Sequence, residues 1–460
     1  MQSISKKRRT CESNDGMEDR LSGLPDEVIV HILSFMPTLD AVRTMLIRQL
    51  RNLWTLVPAL RFDFNEYYGR MADKPPSTHV AFSSFACFVR NVLLLYRRST
   101  MDTFHLSIRN LGNISKDAKI IGDVRMWLRY AIEKEVRVLY FRYSAPFDPP
   151  RCIFTSQSLA TLALLGCTIE HYVHQSQIHL GSLRKLSLIG VKGSTKSYDQ
   201  LISGCPSLQE LIVYFAATSG FEILNINAPS VSKLRICVLN IRCSCTLNCP
   251  SLKILDIGVS EKSPYFQLSV TGVISLQEVN VEYLPTRYYS GEVQPFFKLL
   301  QNAEVFTLSC KAFKELSNSS TEKMEFSLNT WRRIVLHLEW NGERCLEVIF
   351  KLMKKSVNLK ELIIYAGESS GDDCELLCPE LTACVLPLLK TVTIHGNHGY
   401  KKWCEGQLQV IEFLLTNGVV LEKLVITFGK NKLTTVEKVD LVKQVSTFRR
   451  ASSNATVIFV

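Results

Sequence analysis

The sequence predicts an α/β repeat protein, with a short three-helix module in front of a long solenoid whose parallel sheet lines the concave face. Three observations carry this expectation. The template L-x-x-L-x-L recurs about twelve times at steps of roughly 21 to 32 residues, which is the period of a stacked strand-containing unit. The stretch Asp19 to Leu60 concentrates apolar residues at helical rather than strand spacing. Composition is that of a folded chain, 46% hydrophobic and 21% charged over 460 residues, with ample apolar material for a large core.

The helical module comes first. Pro25 sits at a first helical turn, where a missing N–H costs nothing, and Asp26 and Glu27 complement the positive end of the helix dipole. The helix should run to about Met36, because Pro37 cannot continue it. Val28, Ile29, Ile32, Leu33, Phe35 and Met36 cover an arc of roughly 160°, wider than the ~100° of an ordinary one-sided helix. A second helix is expected after Thr38, read as its N-cap, carrying Leu39, Val42, Met45 and Leu46. A third should run from about Ile47 through Leu50, Leu53 and Trp54 to a stop before Pro58. About 40 residues rarely stand alone without disulfides, metal or a partner. The surplus apolar arc therefore predicts a second protein.

Residues 19–62 resemble the F-box of plant F-box proteins. Leu24-Pro25-Asp26-Glu27, Ile32-Leu33-Ser34-Phe35, Pro37-Thr38, Ala41-Val42-Arg43-Thr44 and Arg51-Asn52-Leu53-Trp54 follow the family pattern in order. The resemblance implies binding to the Skp-type adaptor of a cullin–RING ubiquitin ligase. It implies that Leu24, Pro25, Val28, Ile32, Leu33, Leu39, Val42, Leu46, Leu53 and Trp54 divide between helical core and adaptor interface. One departure stands out: the family reads Ser-Lys-Arg-Trp before the last arginine, whereas this chain has Ile47-Arg48-Gln49-Leu50-Arg51. The smaller side chain at Leu50 implies reduced adaptor affinity.

Residues 63–130 are expected to be a linker and array N-cap, with Asp63 to Asn110 as the connection and "MADKPPSTH" its most turn-like part. The leucine-rich repeats follow over residues 131–370. The middle template position falls at Leu139, Leu162, Leu186, Leu211, Leu234, Leu255, Val279, Phe306, Ile334, Leu362, Val392 and Leu424. Each unit is a short strand plus a return that cannot bury its apolar face alone, so stacking builds one continuous core. With leucines inward, the outer face should carry Tyr140, Arg142, Ser187, Arg235, Asp256, Asn280, Glu282, Ser309, His337, Tyr365 and His395. These are the candidate target contacts, a chemically mixed set suited to protein binding.

The closing units, Cys374 to Phe428, resemble the FBD region of plant F-box proteins through Pro379, the Leu389–Ile394 strand, the helix near Gln407–Thr416 and the Leu421–Ile426 strand. Boundaries of 371–430 for this region and 431–460 for a C-terminal cap follow. The physical expectation is that the region seals the last apolar face of the array.

The remaining signals exclude function classes. Net charge is +11, but the basic residues are scattered apart from pairs such as Arg97-Arg98, so no nucleic-acid stripe is expected. The N-terminus lacks a signal-peptide core, and no apolar run approaches the roughly 18 residues of a membrane span. Residues 1–18 read as a disordered basic tail, and Lys6-Lys7-Arg8-Arg9 makes nucleus and/or cytoplasm the expected location. Fifteen cysteines show no disulfide framework, the spacing of Cys237, Cys243, Cys245 and Cys249 matches no zinc pattern, and His171, His174 and His179 lack a nearby acid. No metal or cofactor is expected. There is no G-x-S-x-G, H-E-x-x-H or P-loop, and Ala366 to Glu375 reads as an acidic surface loop.

The expected function is therefore non-catalytic: the substrate-recognition subunit of an SCF-type ubiquitin ligase. It would hold the Skp-type adaptor, and through it the cullin and RING subunits, while the array binds a target protein for degradation. The rival is a ligase-independent scaffold or ligand receptor with a weakened F-box.

Overall fold

The computed structural model describes residues 24–47, 50–71, 77–170, 178–215, 221–238, 242–259, 265–271, 276–282, 302–309, 329–338, 344–366, 385–396, 405–428 and 434–460. Residues 1–18, 72–76 and 367–375, together with Arg48, Gln49, His171, His174 and Pro379, lie outside the described residues.

Helices α1 (Asp26–Ser34) and α2 (Thr38–Arg43) open the chain, followed by two tight 3-10 turns at Thr44–Leu46 and Leu53–Leu56. The expected third helix is thus replaced by turns. Strand β1 (Ala59–Asp63) follows at once, then α3 (Phe64–Gly69), α4 (Thr78–Leu95), β2 (Thr103–Ile108), α5 (Ala118–Glu133) and β3 (Val138–Tyr143). The next part holds β4 (Thr161–Leu165), β5 (Lys185–Ile189), α6 (Thr195–Ser203), β6 (Glu210–Phe215), β7 (Phe221–Asn227), β8 (Lys233–Val238), β9 (Arg242–Asn248), β10 (Ile254–Val259) and β11 (Tyr265–Thr271). Last come β12 (Glu278–Val281), β13 (Val305–Leu308), β14 (Arg333–Leu338), α7 (Arg344–Lys355), β15 (Glu361–Ala366), β16 (Thr391–His395), α8 (Glu405–Asn417), β17 (Lys423–Thr427), α9 (Thr435–Thr447) and β18 (Thr456–Phe459).

Fifteen of these strands form one parallel sheet, in the order β1-β2-β3-β4-β5-β6-β8-β10-β12-β13-β14-β15-β16-β17-β18. Parallel neighbours require a crossover connection between successive strands. The twelve template positions lie opposite one another across the sheet, and each is at most 1% exposed. Two further units precede them. Val57-Leu60-Phe62 and Met101-Phe104-Leu106 obey the same template with Val, Met and Phe in place of Leu, and their middle residues pair with Leu139 through β2. The array therefore starts at the end of the segment expected to be F-box and continues through the one expected to be a linker.

Between β6 and β12 the backs are strands. β7, β9 and β11 pair in parallel as a second, three-stranded sheet, in the order β11-β9-β7. This accounts for the cysteines. Cys243 and Cys245 alternate on β9 and point into the core, and with Cys249 they are fully buried.

The amino-terminal helices dock on the first sheet edge. The β1 amide of Arg61 donates to Thr38 Oγ1 at 2.6 Å, and its guanidinium donates to the Ser34 carbonyl at 2.6 Å. Thr38 thus closes an open strand edge instead of capping its own helix. Arg70 bridges Asp40 and Glu66, Arg97 N–H donates to the Thr55 carbonyl, and Tyr96 Oη donates to the Val57 carbonyl.

α4 corrects the expectation about apolar runs: its 18 residues are long and apolar enough to cross a membrane by length and composition. Its Ala81, Phe82, Phe85, Ala86, Val89, Val92 and Leu93 pack into the core, where Phe82 and Phe85 meet the buried Trp127 of α5. At the other end, β16, α8 and β17 continue the array as ordinary units and β18 follows them. The FBD-like stretch is therefore built into the sheet and does not seal its end. Gly166 ends β4 with φ +72°, and a Cβ there would collide with the Tyr143 carbonyl.

Candidate functional site

Two surfaces carry the sequence-derived residues. The first is on the helical module. Along α1, Ile29 and Leu33 point into the core, while Leu24, Val28, Ile32 and Phe35 form an exposed stripe at helical spacing. The turn after α2 adds Met45, Leu46 and Ile47, and the last 3-10 turn adds Leu56. Phe35 is 69% exposed and Leu46 85%, so this apolar face is covered by nothing among the described residues.

The expected adaptor set divides along that line. Leu24, Pro25, Val28, Ile32 and Leu46 are exposed, Leu39 and Val42 are half-buried, and Leu33, Leu53 and Trp54 belong to the core. Phe35, Met45, Ile47 and Leu56 belong to the exposed face although the set omitted them. The signal for Phe35 was present, since it falls within the apolar arc of the first helix. Leu50 is 3% exposed. It fills the module's interior, so the departure there removes no area from the exposed face.

The second surface is the outer face of the long sheet. Two rows run across it in register. One carries Tyr140, Ser187, Arg235, Asp256 and Asn280; the other carries Arg142, Glu282, Ser309, His337, Tyr365 and His395. The middle strands bring four of these into one polar network. Arg235 Nε donates to Asp256 at 3.1 Å, Asn280 Nδ2 donates to the same carboxylate at 2.6 Å, and Arg235 lies 3.8 Å from Glu282. Ser309 Oγ donates to the Glu282 carbonyl. Tyr214 hydrogen-bonds both Arg235 and Cys237, and burial first of all pushes the Cys237 thiol up to about 11. Asp256 and Ser187 are themselves buried, at 4% and 6% exposure, and so offer no contact surface. Asp256 instead holds Arg235 and Asn280 in place.

Toward the carboxyl end, His337, Tyr365 and His395 form a stack with centroids 4.6 and 4.5 Å apart and planes within 13°. His395 Nδ1 shares a hydrogen bond with Thr427 Oγ1 at 2.9 Å. Tyr140 and Arg142 stand apart on β3, where Tyr140 packs on His105 at 4.2 Å. Burial lowers the pKa of both His105 and His337, and Asp63 partly offsets the shift at His105. The sequence reading missed His105 and Tyr214, although each falls in one of the same two rows. Among the described residues no group of His, Cys, Asp and Glu is arranged to hold a metal ion.

Comparison with known proteins matches each region separately. Residues 21–61 match the F-box domain, residues 124–278 match the repeats described as "FBD-associated F-box protein At5g56370, LRR repeats", and residues 381–426 match FBD. The Arabidopsis thaliana F-box/FBD/LRR-repeat protein At5g56420 is 27% identical over 96% of this chain and 99% of its own length. The F-box/FBD/LRR-repeat protein At3g52680 of the same plant is 26% identical over 91% of this chain and 87% of its own. The F-box/LRR-repeat protein At3g26922, also from Arabidopsis thaliana, is 31% identical over 54% of this chain and 78% of its own. In order and in content of its three regions, this chain belongs to the plant F-box/FBD/LRR-repeat protein family.

Proposed function

We propose that this F-box protein is the substrate-recognition subunit of an SCF-type ubiquitin ligase. The exposed apolar face of the F-box carries the reading. Water-exposed Phe35, Leu46 and Ile32 on a module already fastened to the array are the sign of a surface completed by another chain. The Skp-type adaptor is the partner, and it brings the cullin and RING subunits with it. The outer sheet face then takes the target, with Arg235, Asn280, Glu282 and the Tyr365 stack as its polar and aromatic contacts. The subunit works without chemistry of its own, by raising the effective concentration of target lysines near a charged ubiquitin carrier.

Direct docking of the F-box on the sheet suits this role, because a rigid join fixes the distance between adaptor and cargo. Nucleus and/or cytoplasm is the proposed location. The test is co-elution of the purified chain with a Skp-type adaptor on size exclusion, followed by addition of cullin and RING subunits. A chain that elutes alone with every such adaptor overturns the reading.

A further inference from the structure

The turns that lead into the strands follow a rule that breaks near the carboxyl end. Four residues before the central buried position, the chain places Ser158, Ser182, Ser207, Ser230, Ser251 and, later, Asn302, Thr330 and Asn358. In the next two units the same place holds Leu388 and Val420. One residue earlier, Pro206, Pro229, Pro250 and Asn329 give way to Val357 and Val419, while the unit between them keeps Pro387. Val357, Leu388, Val419 and Val420 are all exposed, and Val385 beside them is 64% exposed. Since β15, β16 and β17 are consecutive and in register, these side chains form one strip along the rim of the sheet, about 10 Å across at the usual strand spacing.

A basic ladder borders the strip. Lys360 N–H donates to the Arg332 carbonyl at 2.8 Å, and Lys390 N–H donates to the Lys360 carbonyl at 2.9 Å, which fixes three cationic residues one strand apart. All three are exposed, as is Lys354 at the end of α7. Lys390 is bridged to Glu422 at 2.8 Å, but Arg332, Lys354 and Lys360 meet no carboxylate among the described residues. Apolar side chains left in water beside cations that have no carboxylate partner among the described residues specify their complement in both respects.

We infer that this rim docks a segment of another protein in which Asp or Glu alternate with Leu, Ile, Val or Met. A lipid surface fits less well, because the strip is narrow and Glu422 interrupts it. The site shares no residue with the F-box face or with the outer-face rows, so it stands whether or not the adaptor reading holds.

The test is selection of a random peptide library on the full chain, with counter-selection on the Leu388→Ser/Val420→Ser chain. The recovered peptides are expected to combine acidic with aliphatic residues. Their affinity should fall at least tenfold for Leu388→Ser/Val420→Ser and for Arg332→Glu/Lys360→Glu, with unchanged melting temperatures. Basic peptides, or peptides bound equally by all three chains, overturn the proposal. So does concentration-dependent self-association lost in Leu388→Ser/Val420→Ser, which would make a second copy the occupant. Binding to phosphatidylserine vesicles lost in the same variant would point to a membrane instead and overturns it too.

Discussion

Replacing Phe35 and Leu46 together by Ala separates the role of the F-box surface from that of its core. Both side chains are largely in water in the free chain, at 69% and 85% exposure, so their removal costs the fold little. A partner that covers them desolvates area worth about 1.5–3 kcal/mol per large apolar side chain. Losses at interface positions are uneven, and a combined effect of about 3 kcal/mol is expected, near a 150-fold rise in Kd. Leu33→Ala is the contrast. Leu33 is 3% exposed, so the substitution leaves a cavity and should cost about 2–5 kcal/mol of folding stability. Titration against a Skp-type adaptor together with thermal unfolding distinguishes the two. The surface pair should lose binding at unchanged Tm, and Leu33→Ala should lower the Tm. Binding of the Phe35→Ala/Leu46→Ala chain within twofold of the parent would refute the assignment of this face.

Other consequences of the geometry are open to measurement. Asp256→Ala leaves Arg235 and Asn280 without their shared acceptor and should cost about 1–3 kcal/mol in urea unfolding. Gly166→Ala forces a side chain into left-handed backbone against the Tyr143 carbonyl, so its loss should exceed the ~1–2 kcal/mol of the backbone term alone. His105 and His337 have folded pKa values below the ordinary histidine value, so the unfolded chain takes up protons first as pH falls. Their contribution to stability is present above about pH 6.5 and is lost as pH drops through the lower folded values; His105→Gln should flatten that decline in pH-dependent unfolding. Burial raises the thiol of Cys245 well above its ordinary value and takes Cys249 to about 11, whereas Cys87 is exposed. Maleimide should label Cys87 in the native protein and reach Cys245 and Cys249 only after unfolding.

The repeat was legible because its physics is local. A strand that buries alternate side chains needs Leu, Val or Ile at fixed offsets, and all twelve such positions, from Leu139 to Leu424, are in the core. Two earlier units were hidden because Val57, Met101 and Phe104 satisfy the same packing without looking like leucine. The strand backs of β7, β9 and β11 were hidden for a different reason: whether a return is helix or strand depends on how it stacks on its neighbours.

The sequence by itself determined the fold class, the F-box and which residues are inward along each strand, since these follow from periodicity and side-chain volume. Tertiary structure alone decided which face of the F-box stays in water, because exposure of Ile32 and burial of Leu33 depend on what packs beside them. It also decided that Asp256 is a buried organiser and not a contact, and that Val357, Leu388 and Val420 form one strip. Residues about thirty positions apart become neighbours only when parallel strands set them side by side.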